Sequence, residues 1–203
     1  MALKTLVKVS TVTNLSDARY SAGMGVEMLG FNLNPATPGY LDSGTYNELG
    51  EWIAGIKYVG EVHGMSATRV NDQLKHYQVD LLEYSDASLR KDLVALRLPL
   101  IFRIHLSDTP VSELEAIMDD MQADTEFFLL EGDTDDDGLD TIAELAGKFD
   151  IILGLDLDAD DMIDWVENED IHGIALRGGD EIRPGYKDYD TLADILEAIE
   201  TED

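Results

Sequence analysis

Four acidic residues lie at or near the carboxyl ends of predicted strands: Glu61, Glu83, Glu131 and Asp156. Carboxylates crowded into one site can separate their pKa values, so that one serves as an acid and another as a base. If the protein is an enzyme, we expect Glu131 to transfer protons together with Asp156 or Glu83. The adjacent sixth and seventh strands would bring Glu131 and Asp156 to neighbouring positions. The alternative is that these acids form structural ion pairs with one of three bases: Lys8, Arg103 or Arg177.

The segment Arg177-Gly178-Gly179-Asp180 follows a short apolar run, residues 171–176, and precedes a predicted helix over 190–200. Glycine has no Cβ, so the backbone N–H groups of such a turn can approach an anion closely, and most often that anion is phosphate. The segment therefore predicts a phosphate site at Arg177, Gly178, Gly179 and Asp180. The alternative is an ordinary turn between strand and helix that requires a positive φ at one glycine.

A third motif is the acidic run after the sixth predicted strand, where Asp133, Asp135, Asp137, Gly138 and Glu144 match the calcium-loop pattern D-x-D-x-D-G-x₅-E. A strand, and not a helix, precedes the run, so it does not form an EF-hand. We predict that Asp133, Asp135 and Asp137 hold calcium or magnesium at 133–138, and we expect no required cofactor. The alternative is chance, because partial matches arise easily in a chain so rich in aspartate.

Elements that position these residues alternate regularly along the chain. Short apolar runs typical of buried parallel strands occupy residues 5–9, 26–32, 57–63, 79–84, 99–105, 126–130, 150–155 and 171–176. Helical patterns occupy residues up to about 22, then 43–54, 66–77, 86–96, 110–122, 139–146, 160–167 and 190–200. Eight repeats with connections of ordinary length predict one (β/α)₈ barrel over residues 1–203, an α/β fold of the TIM-barrel type. Trp52 and Trp165 fall in predicted helices and are expected in the core or in an interface.

The composition limits the classes of partner. The 203 residues include 43 acids, 14 Lys and Arg, and no cysteine, which gives a net charge of −29 and excludes disulfides and thiol chemistry. Such a charge repels nucleic acid and anionic membranes, and no apolar run is long enough for a membrane span. We expect a cytoplasmic protein, a monomer or homodimer, whose acidity keeps it soluble or suits a habitat of high salt.

Two groups of residues resemble the phosphoribosylanthranilate isomerase family. The first group comprises Lys8-Val9-Ser10, Thr13-Asn14, Asp17-Ala18, Gly30-Phe31-Asn32 and Thr37-Pro38-Gly39-Tyr40. The second comprises Gly178-Gly179, Glu181, Pro184-Gly185 and Lys187-Asp188. The resemblance implies a TIM barrel of the ribulose-phosphate-binding type that binds a phosphorylated small molecule of the sugar-phosphate type. It also implies an isomerase of the intramolecular oxidoreductase type that acts in tryptophan biosynthesis.

At three positions the chain departs from the residues that the resemblance implies. Ser10 stands where the family has a cysteine base, Glu131 where it has an aspartate acid, and Gly39 where it has an arginine for the substrate carboxylate. A serine hydroxyl is a poor base without an activating neighbour, so Ser10 would only orient a hydroxyl. Displacing a carboxyl group by one methylene can cost about 10²-fold in rate. Two hypotheses follow: a divergent barrel that binds a phosphorylated ligand, or a non-catalytic interaction protein on the same fold.

Overall fold

A computed structural model describes residues 2–177, 181–183, 186–187 and 190–201 of the chain. Eight parallel strands close into a barrel in chain order, with β8 paired to β1, so the predicted (β/α)₈ architecture is confirmed. The strands are β1 (Leu6–Ser10), β2 (Met28–Asn32), β3 (Lys57–Glu61), β4 (Leu81–Tyr84), β5 (Leu100–His105), β6 (Phe127–Gly132), β7 (Ile151–Leu155) and β8 (Gly173–Arg177).

Helices surround the strands and follow each of them along the chain. They are α1 (Leu15–Gly23), α2 (Ser43–Trp52), α3 (Ala67–Gln73), α4 (Arg90–Val94), α5 (Leu114–Met121), α6 (Asp136–Ala146), α7 (Ala159–Asn168) and α8 (Asp190–Ala198). Short 3₁₀ turns at Ala87–Leu89 and Val111–Glu113 lead into α4 and α5. Between β8 and α8, the short strands β9 (Glu181–Arg183) and β10 (Tyr186–Lys187) pair antiparallel.

The barrel interior has two chemically different halves. Towards the amino ends of the strands it is filled by apolar side chains, namely Met28, Val59, Leu81, Ile101, Phe127, Leu129, Ile152 and Ala175. Towards the carboxyl ends, alternate positions on the same strands carry buried charged residues, among them Lys8, Glu61, Glu83 and Glu131. Because side chains alternate between the two faces of a strand, a shift of one residue would turn these charges into the apolar layer outside the barrel.

Several helices begin at a polar residue whose side chain caps the first turn. Asn14, Asp42 and Asp158 each accept a hydrogen bond from a backbone N–H two or three residues further on. These bonds satisfy donors that a helix start otherwise leaves free. The abundance of aspartate in the loops thus has a local structural use.

At two of the predicted helices, a side-chain contact accounts for the difference between the predicted and the observed boundary. The predicted helix 66–77 ends at Gln73 because the chain turns there to bury Tyr77, whose hydroxyl donates to the Leu41 carbonyl oxygen at 2.8 Å. The predicted helix 139–146 begins three residues earlier, at Asp136, because Asp135 caps it by accepting from the Gly138 N–H at 3.0 Å. None of the described helices has the length and apolar character needed to cross a bilayer.

Candidate functional site

A small pocket of about 250 Å³ opens at the carboxyl ends of the strands. Its lining residues are Ser10, Thr11, Glu61, Glu83, Arg103, Glu131 and Arg177. They come from six different strands and from the loop after β1. This is the end of the fold at which barrels of this type carry their sites.

Strand register explains why these side chains meet. Glu61 of β3 pairs with Glu83 of β4, and Glu131 of β6 is paired with His105 of β5. On β1, Ser10 pairs with Arg177 of β8. Each of these pairs places two neighbouring side chains on the same face of the sheet near the carboxyl ends of the strands, and there the polar groups converge.

Lys8 forms the centre of this layer. It is fully buried, and its Nζ lies 3.0 Å from Glu61 Oε1 and 2.7 Å from Glu83 Oε2. The same ammonium group donates to Ser10 Oγ at 2.7 Å. One buried cation therefore contacts two buried carboxylates and a hydroxyl.

The charges of this cluster stabilise each other's ionised forms. Burial by itself would lower the pKa of Lys8, but the carboxylates of Glu61 and Glu83 outweigh burial and hold that pKa above its ordinary value. Burial by itself would raise the pKa of Glu83, but the Lys8 ammonium and the His63 ring hold it below its ordinary value. Both groups thus remain charged at neutral pH, and Glu83 does not show the raised pKa that an acid sharing a proton with a second carboxylate would have.

Gly30 of β2 makes room for this cluster. A Cβ at position 30 would lie 2.0 Å from Glu61 Oε1 and 2.9 Å from Lys8 Nζ. Real Cβ atoms do not approach other atoms so closely, so only glycine allows the carboxylate and the ammonium group to occupy this side of the barrel.

Glu131 belongs to a second, looser cluster at the opening. Its Oε2 lies 3.3 Å from Arg103 Nη1 and 3.7 Å from Arg177 Nη2. The Arg177 side chain is 67% exposed and that of Arg103 is 28% exposed, whereas Glu131 is buried. Each guanidinium has five donors, so both retain donors for a ligand.

The loop after β1 lies against the loop after β2. Thr11 has a positive φ of 52°, which is rare for a threonine, and its N–H and hydroxyl both donate to the Glu61 carboxylate, at 3.0 and 2.8 Å. Gly39 has a φ of 77°, and a Cβ there would lie 2.7 Å from Thr11 Cγ2. A larger side chain at position 39 is therefore excluded by backbone conformation and by Thr11 together.

Beside the pocket, a chain of hydrogen bonds joins an exposed hydroxyl to a buried carboxylate. His63 Nε2 lies 2.8 Å from Glu83 Oε1, and His63 Nδ1 lies 3.2 Å from Ser85 Oγ. His63 and Ser85 were not among the residues predicted from the sequence. The signal was present in the spacing, because they stand two positions after Glu61 and Glu83, which pair in register.

The structure gathers three of the four residues predicted for chemistry. Ser10, Glu83 and Glu131 line the pocket together, and so does Arg177 from the predicted phosphate site. Asp156 does not join them: it follows the last residue of β7, its side chain is exposed, and the expected pairing with Glu131 is not seen. The alternative of structural ion pairs with Lys8, Arg103 and Arg177 is the arrangement observed.

Other predicted site residues fall outside this pocket. Gly178, Gly179 and Asp180 of the phosphate prediction lie outside the described residues. In the 133–138 run, Asp135 acts as a helix cap and residues 136–138 form the first turn of α6. Over the described part of the chain no three acidic or histidine side chains are placed to hold a metal ion, so the cation site at Asp133, Asp135 and Asp137 stays a prediction.

Comparison with known proteins finds phosphoribosylanthranilate isomerases that are similar to this chain in sequence and in fold. No family model matches the chain. The N-(5'-phosphoribosyl)anthranilate isomerase of Maridesulfovibrio salexigens is 24% identical over 205 residues, which cover 97% of this chain and 99% of that protein. The similarity therefore spans the whole barrel.

Solved structures share the architecture at lower identity. The phosphoribosyl anthranilate isomerase of Thermotoga maritima superimposes with a TM-score of 0.78 at 18% identity, covering 96% of this chain and 98% of that one. The enzyme of Pyrococcus furiosus gives 0.78 at 13% identity, with the same coverage. An isomerase in complex with reduced 1-(o-carboxyphenylamino)-1-deoxyribulose 5-phosphate gives 0.77 at 19% identity, again with 96% and 98% covered.

Proposed function

We propose that this chain, a distant member of the phosphoribosylanthranilate isomerase family, binds a small phosphorylated sugar derivative at the carboxyl ends of its strands without isomerising it. The observation that carries the proposal is the internal pairing of the pocket's charges. Glu61 and Glu83 contact Lys8, and Glu131 contacts two arginines. A site arranged in this way can hold a ligand, but Lys8 and Glu83 are held in their charged forms, so Lys8 cannot accept and Glu83 cannot donate the proton that isomerisation needs to transfer.

The arginines at the opening support a phosphorylated ligand. A net charge of −29 repels anions unless bases offset it locally, and Arg103 and Arg177 supply two positive charges at the pocket. Guanidinium groups bind phosphate through paired, charge-assisted hydrogen bonds. Arg177 is also the last residue before Gly178 and Gly179, the predicted phosphate site.

The size of the pocket supports a compact ligand. Its volume of about 250 Å³ is below the roughly 300–1,000 Å³ usual for drug-sized ligands. Gly39 also leaves no arginine where the family resemblance implies a contact to a substrate carboxylate, and Thr11 prevents a larger side chain there. A sugar phosphate without a bulky anionic ring fits these limits best.

The case against isomerisation rests on Lys8 and Ser10. Lys8 is held protonated and donates to Ser10 Oγ, so it cannot remove the proton of that hydroxyl. Glu83 is held ionised and cannot donate a proton. Glu131 remains the group able to act as an acid, in the place where the resemblance implies an aspartate.

Binding is tested by titrating ribose 5-phosphate calorimetrically into the protein and into two single variants. We expect Arg177→Gln to weaken binding by about tenfold or more, since a hydrogen bond to a charged group contributes roughly 1.5–3 kcal/mol. The matched control is Arg69→Gln, which removes the same charge from an exposed position on α3, away from the pocket. Equal weakening by both variants would show a general charge effect and would exclude a phosphate site at the pocket.

Catalysis is tested separately, by assaying phosphoribosylanthranilate turnover and rescue of a tryptophan-requiring strain that lacks the isomerase. We expect neither from the native chain. Rescue that is lost in Glu131→Gln would overturn the non-catalytic part of the proposal and establish Glu131 as the acid. A chain that neither binds ribose 5-phosphate nor turns over substrate would favour the second hypothesis, an interaction protein on this fold.

A further inference from the structure

We propose that Ser85, His63 and Glu83 form a nucleophilic site that reacts with small, uncharged carboxylic esters. The site stands at the carboxyl ends of β3 and β4, beside the pocket of the proposed sugar-phosphate site and independent of that function. Its basis is the hydrogen-bonded chain from an exposed hydroxyl, through a half-buried imidazole, to a buried carboxylate.

Each member of this chain is held in place by the fold. Glu83 is an inward-facing residue of β4 and contacts Lys8. The backbone of His63 is held by Asn34, whose side-chain amide donates to the His63 carbonyl oxygen at 2.8 Å. Glu61 of β3 and Glu83 of β4 pair in register. Two residues further along from each of them, His63 and Ser85 therefore lie side by side.

The charge state of Glu83 decides which nitrogen of His63 carries the proton. An ionised carboxylate can only accept hydrogen bonds, so neutral His63 donates from Nε2 to Glu83 Oε1 across 2.8 Å. The lone pair of Nδ1 then faces Ser85 Oγ at 3.2 Å. Lys8 contributes by keeping Glu83 ionised. This is the division of roles among nucleophile, base and orienting acid that serine hydrolases use.

The reaction that follows balances in protons and bonds. The Ser85 Oγ–H passes its proton to His63 Nδ1 while Oγ bonds to the ester carbonyl carbon, whose C=O electron pair moves onto oxygen. The intermediate then collapses: the C–O bond to the alcohol breaks, and the alcohol leaves with the proton from Nδ1. A water molecule then attacks the acyl carbon and gives its proton to Nδ1. The bond between that carbon and Ser85 Oγ breaks, Oγ takes the proton back from Nδ1, and the carboxylic acid leaves.

The surroundings favour an uncharged ester. The overall negative charge repels an anionic substrate, and Ser85 and Asp86 lie next to each other on the exposed side of the turn. No local arginine is required for a neutral acyl group. The probe we choose is p-nitrophenyl acetate, whose leaving group is coloured and whose acyl group is small.

The first experiment incubates the native protein with p-nitrophenyl acetate and locates the acetyl group by peptide mass spectrometry. We expect acetylation at Ser85, its loss in Ser85→Ala, and a labelling rate lower by about 10²-fold or more in His63→Gln, since a positioned general base contributes about 10²–10⁴-fold. The matched control is Ser107→Ala, because Ser107 Oγ also lies near a histidine, 2.9 Å from His105 Nδ1. The control should leave labelling at Ser85 unchanged.

A second measurement uses the absence of cysteine from the chain. Ser85→Cys introduces the single thiol, whose alkylation by iodoacetamide reports how strongly His63 promotes the thiolate. We expect faster alkylation than in Ser107→Cys, and expect His63→Gln to remove the difference in variants that remain folded by circular dichroism. Acetylation at other residues, labelling indifferent to His63, or equal thiol reactivity at positions 85 and 107 would each overturn the proposal and leave the hydrogen-bonded chain with a structural role.

Discussion

At the scale of single residues, the site depends on Lys8, one of the three bases that the sequence offers as ion-pair partners for the acids. Lys8 is the middle residue of β1, and its ammonium group is the shared partner of Glu61 and Glu83. A buried charge is tolerated only when it is paired and hydrogen-bonded. The pairing explains why these two buried acids can share one small pocket.

Replacing Lys8 by methionine should destabilise the protein strongly. The substitution keeps the length of the side chain but leaves two buried carboxylates unpaired, which typically costs about 3–5 kcal/mol. Urea denaturation at pH 7 measures the change in the free energy of unfolding. The control is Lys148→Met, which removes an exposed lysine paired with Glu115 at 2.7 Å and should change stability little. Equal effects of the two variants would contradict a central role for Lys8.

The Lys8–Glu83 pair also determines how the stability of the native protein depends on pH, and Lys8→Met should alter that dependence. In the native protein the pKa of Glu83 is lowered from 4.5, so its contribution to stability is present above that pH and is lost as the pH falls. The pKa of Lys8 is raised from 10.5, so its contribution is present below that pH and is lost as the pH rises. Stability from this pair is therefore level between about pH 5 and 10.

In Lys8→Met only the His63 ring still compensates for the burial of Glu83, so the pKa of Glu83 should rise, and we expect it to exceed the ordinary value. Protonation of Glu83 then relieves a buried charge that has lost its ammonium partner, so the variant should gain stability as the pH falls from 7 to 5. Over the same range the contribution of the Lys8–Glu83 pair to the stability of the native protein is constant. Midpoints of urea denaturation across that range decide the matter. Parallel pH profiles for the two proteins would refute this account of the cluster.

Gly30→Ala should disturb the same cluster by overpacking. The added methyl group would overlap Glu61 Oε1 and contact Lys8 Nζ, and insertions of this kind into packed interiors cost about 1–3 kcal/mol. Thermal denaturation compares it with Gly50→Ala in α2, where the nearest atom to a new Cβ is Tyr58 Cε2 at 3.9 Å and helix propensity favours alanine. We expect the first substitution to lower the melting temperature and the second to maintain or raise it.

At the scale of elements, several aspartate residues in the loops serve as helix caps. Asp135 accepts from the Gly138 N–H at the start of α6, so Asp135→Ala should cost about 1 kcal/mol of stability. The loss should be the same with and without millimolar calcium. The comparison matters because the same residue is a predicted cation ligand: a melting temperature raised by calcium in the native protein, and not in the variant, would establish the cation site and overturn the capping interpretation.

The order and type of the elements could be predicted from the sequence, because buried parallel strands leave short apolar runs and helices leave capping residues and longer periodic patterns. Boundaries were less predictable. The end of α3 depends on the burial of Tyr77 under a distant loop, which no local pattern near Gln73 reveals. The start of α6 was missed because its aspartates matched a metal-binding pattern as well as a cap.

The candidate site was predictable where it depends on strand ends and unpredictable where it depends on pairing across strands. Ser10, Glu83 and Glu131 follow from their positions at the ends of β1, β4 and β6. Asp156 satisfied the same rule, but it lies two residues beyond Gly154, the residue of β7 that pairs with Glu131, so it is past the end of the strand and exposed. His63 became significant only when its partners on β4 were known.

At the scale of the whole molecule, the net charge of −29 sets a dependence on salt. Repulsion among exposed acids is screened over about 10 Å at 0.1 M salt and about 3 Å at 1 M, whereas the buried pairs around Lys8 are little affected. We expect the melting temperature to rise between these concentrations of sodium chloride. Substituting lysine at three exposed acids, Glu51, Asp119 and Glu197, should flatten that rise. A melting temperature that is independent of salt in the native protein would contradict the expectation.

The two tryptophans of the barrel lie in opposite environments, so their fluorescence can report on the surface of the molecule. Trp52 is 64% exposed at the end of α2, with the Arg19 guanidinium 4.7 Å from its ring centroid, whereas Trp165 of α7 is 9% exposed. Fluorescence quenchers in solution should therefore reach Trp52 and spare Trp165. Because the acidic surface attracts cations, caesium should quench Trp52 more efficiently than iodide at low ionic strength, and the two should become alike as salt is added. The selectivity of the quencher thus reports the electrostatic field at one known point on the surface.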